Sequence, residues 1–300
     1  MQLYRGPDGA ITPQPVTVAS RHSLRCGRHL LDLSRPRVMG VLNVTPDSFS
    51  DGGRFVDFDR ALAHARTMLA DGADIIDIGG ESTRPGALPT SEPDEIGRVI
   101  PIVEALARDD VVISVDTMKP AVIRAAIAAG ASMINDVRAL RAPGAIEAVA
   151  ESQVAVCLMH MQGEPRTMQK TAVYADVVAD VRRFLEERAV ASMSAGIARE
   201  RIAIDPGFGF GKTAAHNLRL LRELSSIASL GYPVVAGLSR KSTLGALTGR
   251  PSDDRLAASI AAAVSAVAHG ASIVRVHDVR ETVDALKVWR AIEEGNEATS

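Results

Sequence analysis

Val111–Asp136 reads VVISVDTMKPAVIRAAIAAGASMIND, and this stretch decides the fold. The apolar, β-branched run Val111–Val115 ends on Asp116, a helical segment rich in Ala starts near Pro120, and Gly130 closes it. A glycine just past a helix and just before a strand is the usual αβ turn. The second apolar run then reaches Asn135. Strand, helix and strand in that order form a βαβ unit, in which the two strands lie parallel.

The same pattern extends in both directions. Val38–Leu42 runs into Asn43, Ile75–Ile76 into Asp77 and Ile202–Ile204 into Asp205. Val234–Leu238 leads to Ser239, Arg240 and Lys241, while Ile273–Val276 carries Arg275 and ends at His277. The strand candidates are 37–43, 73–78, 111–116, 132–136, 154–159, 201–205, 233–238 and 272–277. Eight such units suit a closed α/β barrel of about 250 residues better than a doubly wound sheet. The expected fold is a (β/α)8 TIM barrel, a single domain over 37–293. A short N-terminal extension with a hairpin over 1–36 precedes it, and a tail over 294–300 follows. Polar residues at the C-terminal strand ends are what such a barrel uses to build a site.

Three βα links are long, Val44–Phe58, Gly79–Ser91 and Met161–Thr171, and long structureless βα links usually bind or cover ligands. Over 300 residues the net charge is −2, which gives no reason to expect nucleic acid or a membrane surface as partner. An aromatic content of 3% also argues against a base-stacking groove. No run is long and apolar enough to span a bilayer, and the start does not read as a signal peptide, so a cytoplasmic location is expected. Cys26 and Cys157, far apart in such a chain, read as free thiols, with Cys157 a small core hydrophobe.

Asp116, Asn135 and Asp205 would meet at the barrel mouth. A carboxylate accepts two hydrogen bonds while an amide donates and accepts, so together they match the edge of an amino-pyrimidinone ring. Asp116 alone could be a helix N-cap, but three such residues at successive strand ends favour a site. Arg275 and His277 alternate along one strand and so point to the same side. Lys241 and Ser242 open the helix after strand seven, a place where barrels commonly hold phosphate. Asn43 could add an oxygen ligand to a magnesium ion shared with a diphosphate.

Asp205–Thr213, DPGFGFGKT, is not a P-loop, because Pro206 stands where the first glycine is required. Gly207, Gly209 and Gly211 read instead as a tight loop that lets backbone and Phe210 approach a ligand. His160 and His277 lack partners at metal-ligand spacing, which argues against zinc. The residues alone point to transfer chemistry on a ring-bearing diphosphate or similar ester.

Further motifs carry a resemblance. Asn43–Gly53 (NVTPDSFSDGG), Asp77–Gly86 (DIGGESTRPG), Ser114–Thr117 (SVDT), Asn135–Val137 (NDV), Asp205–Lys212 (DPGFGFGK), Gly237–Ser242 (GLSRKS) and Arg275–Val279 (RVHDV) stand in order along the chain. From about Cys26 to Trp289 it resembles the dihydropteroate synthases. The resemblance implies condensation of 6-hydroxymethyl-7,8-dihydropterin diphosphate with p-aminobenzoate, magnesium as cofactor, a homodimer and sensitivity to sulfonamides. It implies that Asp116, Asn135, Asp205 and Lys241 hold the pterin, and that Asn43, Arg275 and His277 meet diphosphate, Asn43 also meeting the metal. Thr83, Arg84, Phe210 and Ser242 would border the p-aminobenzoate pocket, with Asp47 and Phe49 on one closing loop and Arg84 and Pro85 on a second. Two rivals share the pterin contacts: a methyl-transferring pterin enzyme and a non-catalytic pterin-binding paralogue.

Overall fold

The computed structural model describes residues 4–5, 11–12, 23–44, 54–82, 89–163 and 172–295. Eight parallel strands form one sheet: β1 (Arg37–Asn43), β2 (Ile75–Gly79), β3 (Val112–Asp116), β4 (Met133–Asp136), β5 (Ala155–Met159), β6 (Ile202–Asp205), β7 (Val235–Ala236) and β8 (Ile273–Val276). Their order is β6-β5-β4-β3-β2-β1-β8-β7, and a parallel bridge between Ile204 and Val234 joins the two ends. The sheet is thereby a barrel, as expected from the eight strand candidates.

Helices pack outside it: α1 (Arg54–Ala70), α2 (Glu92–Leu106), α3 (Pro120–Ala129), α4 (Ala145–Ala150), α5 (Val177–Ser194), α6 (Ala214–Arg222), α7 (Leu224–Ala228), α8 (Ser242–Thr248), α9 (Leu256–Ala268) and α10 (Val279–Glu294). In α3, Pro120 occupies the first turn and Gly130 ends the helix at φ +105°, the left-handed conformation glycine adopts without penalty. Two boundaries differ from the sequence reading. Helix α1 begins at Arg54, inside the expected first long link. The seventh strand keeps its ladder only over Val235–Ala236; at its start Pro233 has no N–H and contributes just its carbonyl, to Ile204 N.

Alternate residues of each strand face opposite ways, and the buried side chains separate accordingly. Val38, Ile76, Ile113, Ile134, Val156, Ile204 and Val274 join the layer between strands and helices. Met39, Ile75, Val112, Met133, Ala155, Ala203, Val235 and Ile273 form a second cluster inside the barrel. Leu24, Cys26, Leu31 and Leu33 belong to that inner cluster. The first three come from an antiparallel hairpin, Ser23–Cys26 with His29–Asp32, which closes the N-terminal end of the barrel, and Leu33 directly follows it. Both cysteines are free and fully buried, and burial pushes the Cys26 thiol up to about 12, so both serve as core residues.

Two residues further along the same inward rows, the apolar floor gives way to Asp77, Ser114, Asn135, Asp205 and Arg275. Strand register sets Asp77 beside Ser114 and Asp116 beside Asn135. The site therefore sits directly on a hydrophobic plug.

Candidate active site at the barrel mouth

Asp205 ends β6 with its carboxylate buried, and one oxygen accepts from the Gly207 amide at 2.7 Å. Burial raises its pKa, against the pull of Lys241. Lys241 comes from the loop after the neighbouring β7, donating to the Phe208 carbonyl and lying 4.8 Å from the centre of the Phe210 ring. Burial lowers its ammonium to about 8, with Asp205 opposing that fall. Lys241 reaches this position because Arg240 adopts a left-handed backbone at φ +59°. That conformation costs roughly 1–2 kcal/mol. The turn is held by Ser259, which accepts from Arg240 N at 3.0 Å, and by Arg255, which donates to Arg240 O at 2.8 Å.

The Gly-rich loop after β6 differs in part from expectation. A Cβ on Gly207 would lie 1.9 Å from the His160 carbonyl oxygen, and one on Gly211 would lie 2.5 Å from that of Gln162. These glycines make room for neighbouring backbone rather than for a ligand. Gly209 lies under the Lys241 side chain, and Phe210 faces that lysine as anticipated. Buried Lys212 ties the loop together, donating to Gly207 O at 2.9 Å and Phe210 O at 3.1 Å and meeting His160 Nδ1 at 2.8 Å. Burial lowers Lys212 to about 7 and His160 to about 2, so the imidazole accepts from the lysine as a neutral ring. His160, without metal-ligand partners in the sequence, is a loop anchor.

Across the mouth, Arg275 spans two carboxylates, with Nε 2.6 Å from Asp77 Oδ2 and Nη2 2.9 Å from Asp116 Oδ2. Burial opposes the guanidinium charge, but Asp77 and Asp116 outweigh it and raise the pKa. Burial pushes Asp116 up, and Arg275 pulls it back. The N-cap alternative for Asp116 fails, since the residue capping α3 is Lys119. Asn135 Nδ2 donates to Asp77 Oδ2 at 3.2 Å. The other oxygens of Asp77 and Asn135 are buried without a partner, as is Ser114 Oγ. Unmet buried polar atoms are costly.

His277 directly follows β8, its Nδ1 3.0 Å from Ser239 Oγ. Burial first, then the neighbouring Arg275, lowers its pKa to about 4, so the ring is a neutral hydrogen-bonding group at pH 7. Asn43 lies close by: a Cβ on Gly79 would meet Asn43 Oδ1 at 3.8 Å and Asp116 Oδ2 at 3.9 Å. A cavity of about 600 Å³ opens beside Asn43 and His277. Arg240 and Arg280 on its wall are already paired with Asp278 and Asp71. Ser242 is exposed at the first position of α8. Asp47, Phe49, Thr83, Arg84 and Pro85 lie outside the described residues.

Sequence reading misses two groups. Asp77 reads as a strand end without a role, yet it holds both Arg275 and Asn135. Lys119 Nζ binds Glu81 Oε2 at 2.9 Å, Glu95 Oε2 at 2.6 Å and Thr90 O at 2.6 Å. These contacts join α3 to residues on either side of 83–88. Neither group follows from spacing, because their partners come from other βα units.

Comparison with known proteins accords with this geometry. A family model described as pterin binding enzyme matches residues 39–277. Dihydropteroate synthase of Haemophilus influenzae is 53% identical over 262 residues, covering 87% of this chain and 95% of that protein. The Neisseria meningitidis serogroup B enzyme of that name is 49% identical over 280 residues, covering 91% of this chain and 98% of its own length. Among solved structures, Xanthomonas albilineans dihydropteroate synthase with 4-aminobenzoic acid aligns with a TM-score of 0.86 at 53% identity, covering 91% of this chain and 98% of that one. The Burkholderia cenocepacia enzyme complexed with 7,8-dihydropteroate aligns at 0.84 and 53% identity, covering 91% and 97%. With its motifs at the strand ends of this barrel, the chain belongs to the pterin-binding enzymes and, among them, to the dihydropteroate synthases.

Proposed function

We propose that the mouth condenses 6-hydroxymethyl-7,8-dihydropterin diphosphate with p-aminobenzoate, using the residues just described in two groups. The observation that carries this reading is the cluster of buried, unpartnered acceptors on Asp77 and Asn135 beside Asp205, next to the neutral His277 and Asn43. Asp205 accepts from neighbouring N–H groups of the pterin ring, and Lys241 donates to a ring acceptor. His277 and Arg275 receive the diphosphate oxygens. The C–O bond to diphosphate breaks with its electron pair leaving on oxygen. The resulting cation at the exocyclic carbon is spread over the ring and stabilised by Asp116 and Asp205. The amine of p-aminobenzoate then attacks, a C–N bond forms and its proton passes to solvent. Thr83, Arg84, Phe210 and Ser242 are proposed to border p-aminobenzoate, and two loops, one with Asp47 and Phe49 and one with Arg84 and Pro85, to cover the site.

Magnesium fits the donor set near Asn43. Among the described residues no group of three His, Cys, Asp or Glu side chains could cage a metal. A magnesium ion that keeps most of its water and takes substrate phosphate oxygens needs only one or two protein oxygens, and Asn43 Oδ1 is one. Bound there, it would supply charge neutralisation for the departing diphosphate. Arg275 with the hydrogen-bonded pair of His277 and Ser239 favours this reading over methyl transfer, which needs no diphosphate pocket.

A homodimer is proposed as well. Leu247, Val288 and Ile292, 57%, 61% and 71% exposed, are apolar side chains on α8 and α10 left in water by a single copy. Light scattering should give twice 31.7 kDa, and a mass of one chain would contradict it. A cytoplasmic location is proposed, no described helix being long and apolar enough to cross a membrane.

Following diphosphate release with both substrates and magnesium tests the reaction. Release should require p-aminobenzoate and be inhibited competitively by sulfonamides, drugs named in a solved Yersinia pestis relative. Pterin binding without turnover would leave the non-catalytic paralogue.

A further inference from the structure

We infer that Asp77 is a positioning residue that dictates which polar atom Asn135 presents to the ligand. An amide can turn either its oxygen or its NH2 toward a ligand, and the two faces recognise opposite ring atoms. Asp77 Oδ2 accepts from Arg275 Nε at 2.6 Å and from Asn135 Nδ2 at 3.2 Å. As the ion-pair partner of Arg275, Asp77 is a carboxylate, with acceptors only. Only the NH2 group of Asn135 can therefore face it. Turning the amide over would set an oxygen against a carboxylate oxygen inside the barrel, where no water relieves the repulsion. Asn135 is left with Oδ1 buried and unpartnered, an acceptor waiting for a ligand N–H.

The same carboxylate holds the Arg275 guanidinium by its Nε edge while Asp116 takes Nη2. One side chain on β2 thus orients residues on β4 and β8 without itself having to touch the substrate. Its second oxygen, also buried and unpartnered, lies in the same cluster. This inference rests on the pterin reading of the mouth, since it assigns Asn135 to the ring.

Two exchanges of similar size test it. Asp77→Leu removes the acceptor, so Asn135 is free to turn over, and affinity for 6-hydroxymethylpterin should fall about tenfold. The KM for p-aminobenzoate should change less than about threefold, a split that general loosening of the mouth would not produce. Asp77→Asn keeps an oxygen for Arg275 Nε, and that oxygen still accepts from Asn135 Nδ2. Its pterin affinity should stay within about threefold of the parent. Asn135→Asp alone opposes two carboxylates and should bind more weakly than Asn135→Asp combined with Asp77→Asn. That comparison carries the test if Asp77→Leu does not fold. Parent-like pterin affinity in Asp77→Leu, or a tenfold loss in Asp77→Asn, would overturn the inference. Absence of pterin binding by the parent would overturn the reading of the mouth and the inference with it.

Discussion

The two ends of the barrel use the same inward rows of the same strands for opposite purposes. At the floor, Met39, Ile75, Val112 and Met133 pack with Leu24 and Cys26 of the hairpin in an apolar cluster. At the mouth, the next positions carry Asp77, Ser114, Asn135 and Arg275, with three acceptors or hydroxyls buried and unpaired. A protein selected for stability alone would not leave such groups unmatched. The floor holds the strands in register, and the mouth gives up part of that stability for a surface complementary to a ligand.

This division can be broken most forcefully at Asp205. Its carboxylate should give the ring two charge-assisted bonds, each contributing about 1.5–3 kcal/mol. Asp205→Ala should therefore bind pterin at least about 100-fold more weakly while its far-ultraviolet circular dichroism stays native. Parent-like binding would remove the ring from that side of the mouth. At the floor, Leu24→Ala should cost about 3 kcal/mol in urea unfolding and leave KM for both substrates unchanged. An altered KM would show that the hairpin reaches the chemistry.

Arg275→Lys sharpens the comparison, because an ammonium cannot bridge Asp77 and Asp116 with two directed edges as the guanidinium does. A loss of about tenfold in kcat/KM is expected, and unchanged kinetics would mean that charge alone suffices at this position.

A further contrast concerns pH and Lys212. Burial lowers this lysine from 10.5 to about 7 in the folded chain. Below that range both states carry the proton. Between about 7 and 10.5 the unfolded chain holds the proton more tightly, so this group makes stability rise with pH. Lys212→Met removes that contribution. The melting temperature of the parent, measured against the variant, should gain as pH rises from 7.5 to about 9.5. A constant difference would contradict the assignment.

Most of the fold is legible because polar strand ends and αβ glycines are local signals. Pro120 and Gly130 bound a helix by their own backbone geometry. The apolar run overextends the seventh strand, since an apolar run alone does not set where its ladder starts and stops. In the site, Asp116, Asn135, Asp205 and Lys241 stand out as chemistry at strand ends. The partnership of Asp77 with Arg275, 198 residues apart, does not, because barrel closure alone brings them together. The Gly207 and Gly211 loop misleads for a related reason: the backbone it accommodates belongs to a different βα link.

The most direct measurement is the rise in melting temperature caused by saturating pterin in the parent, in Leu24→Ala and in Asp205→Ala. A ligand that binds only the folded state raises stability by mass action. If floor and mouth divide as described, Leu24→Ala melts lower than the parent but keeps the full ligand-induced rise, while Asp205→Ala loses it. A rise that survives in Asp205→Ala, or one abolished by Leu24→Ala, would contradict that division.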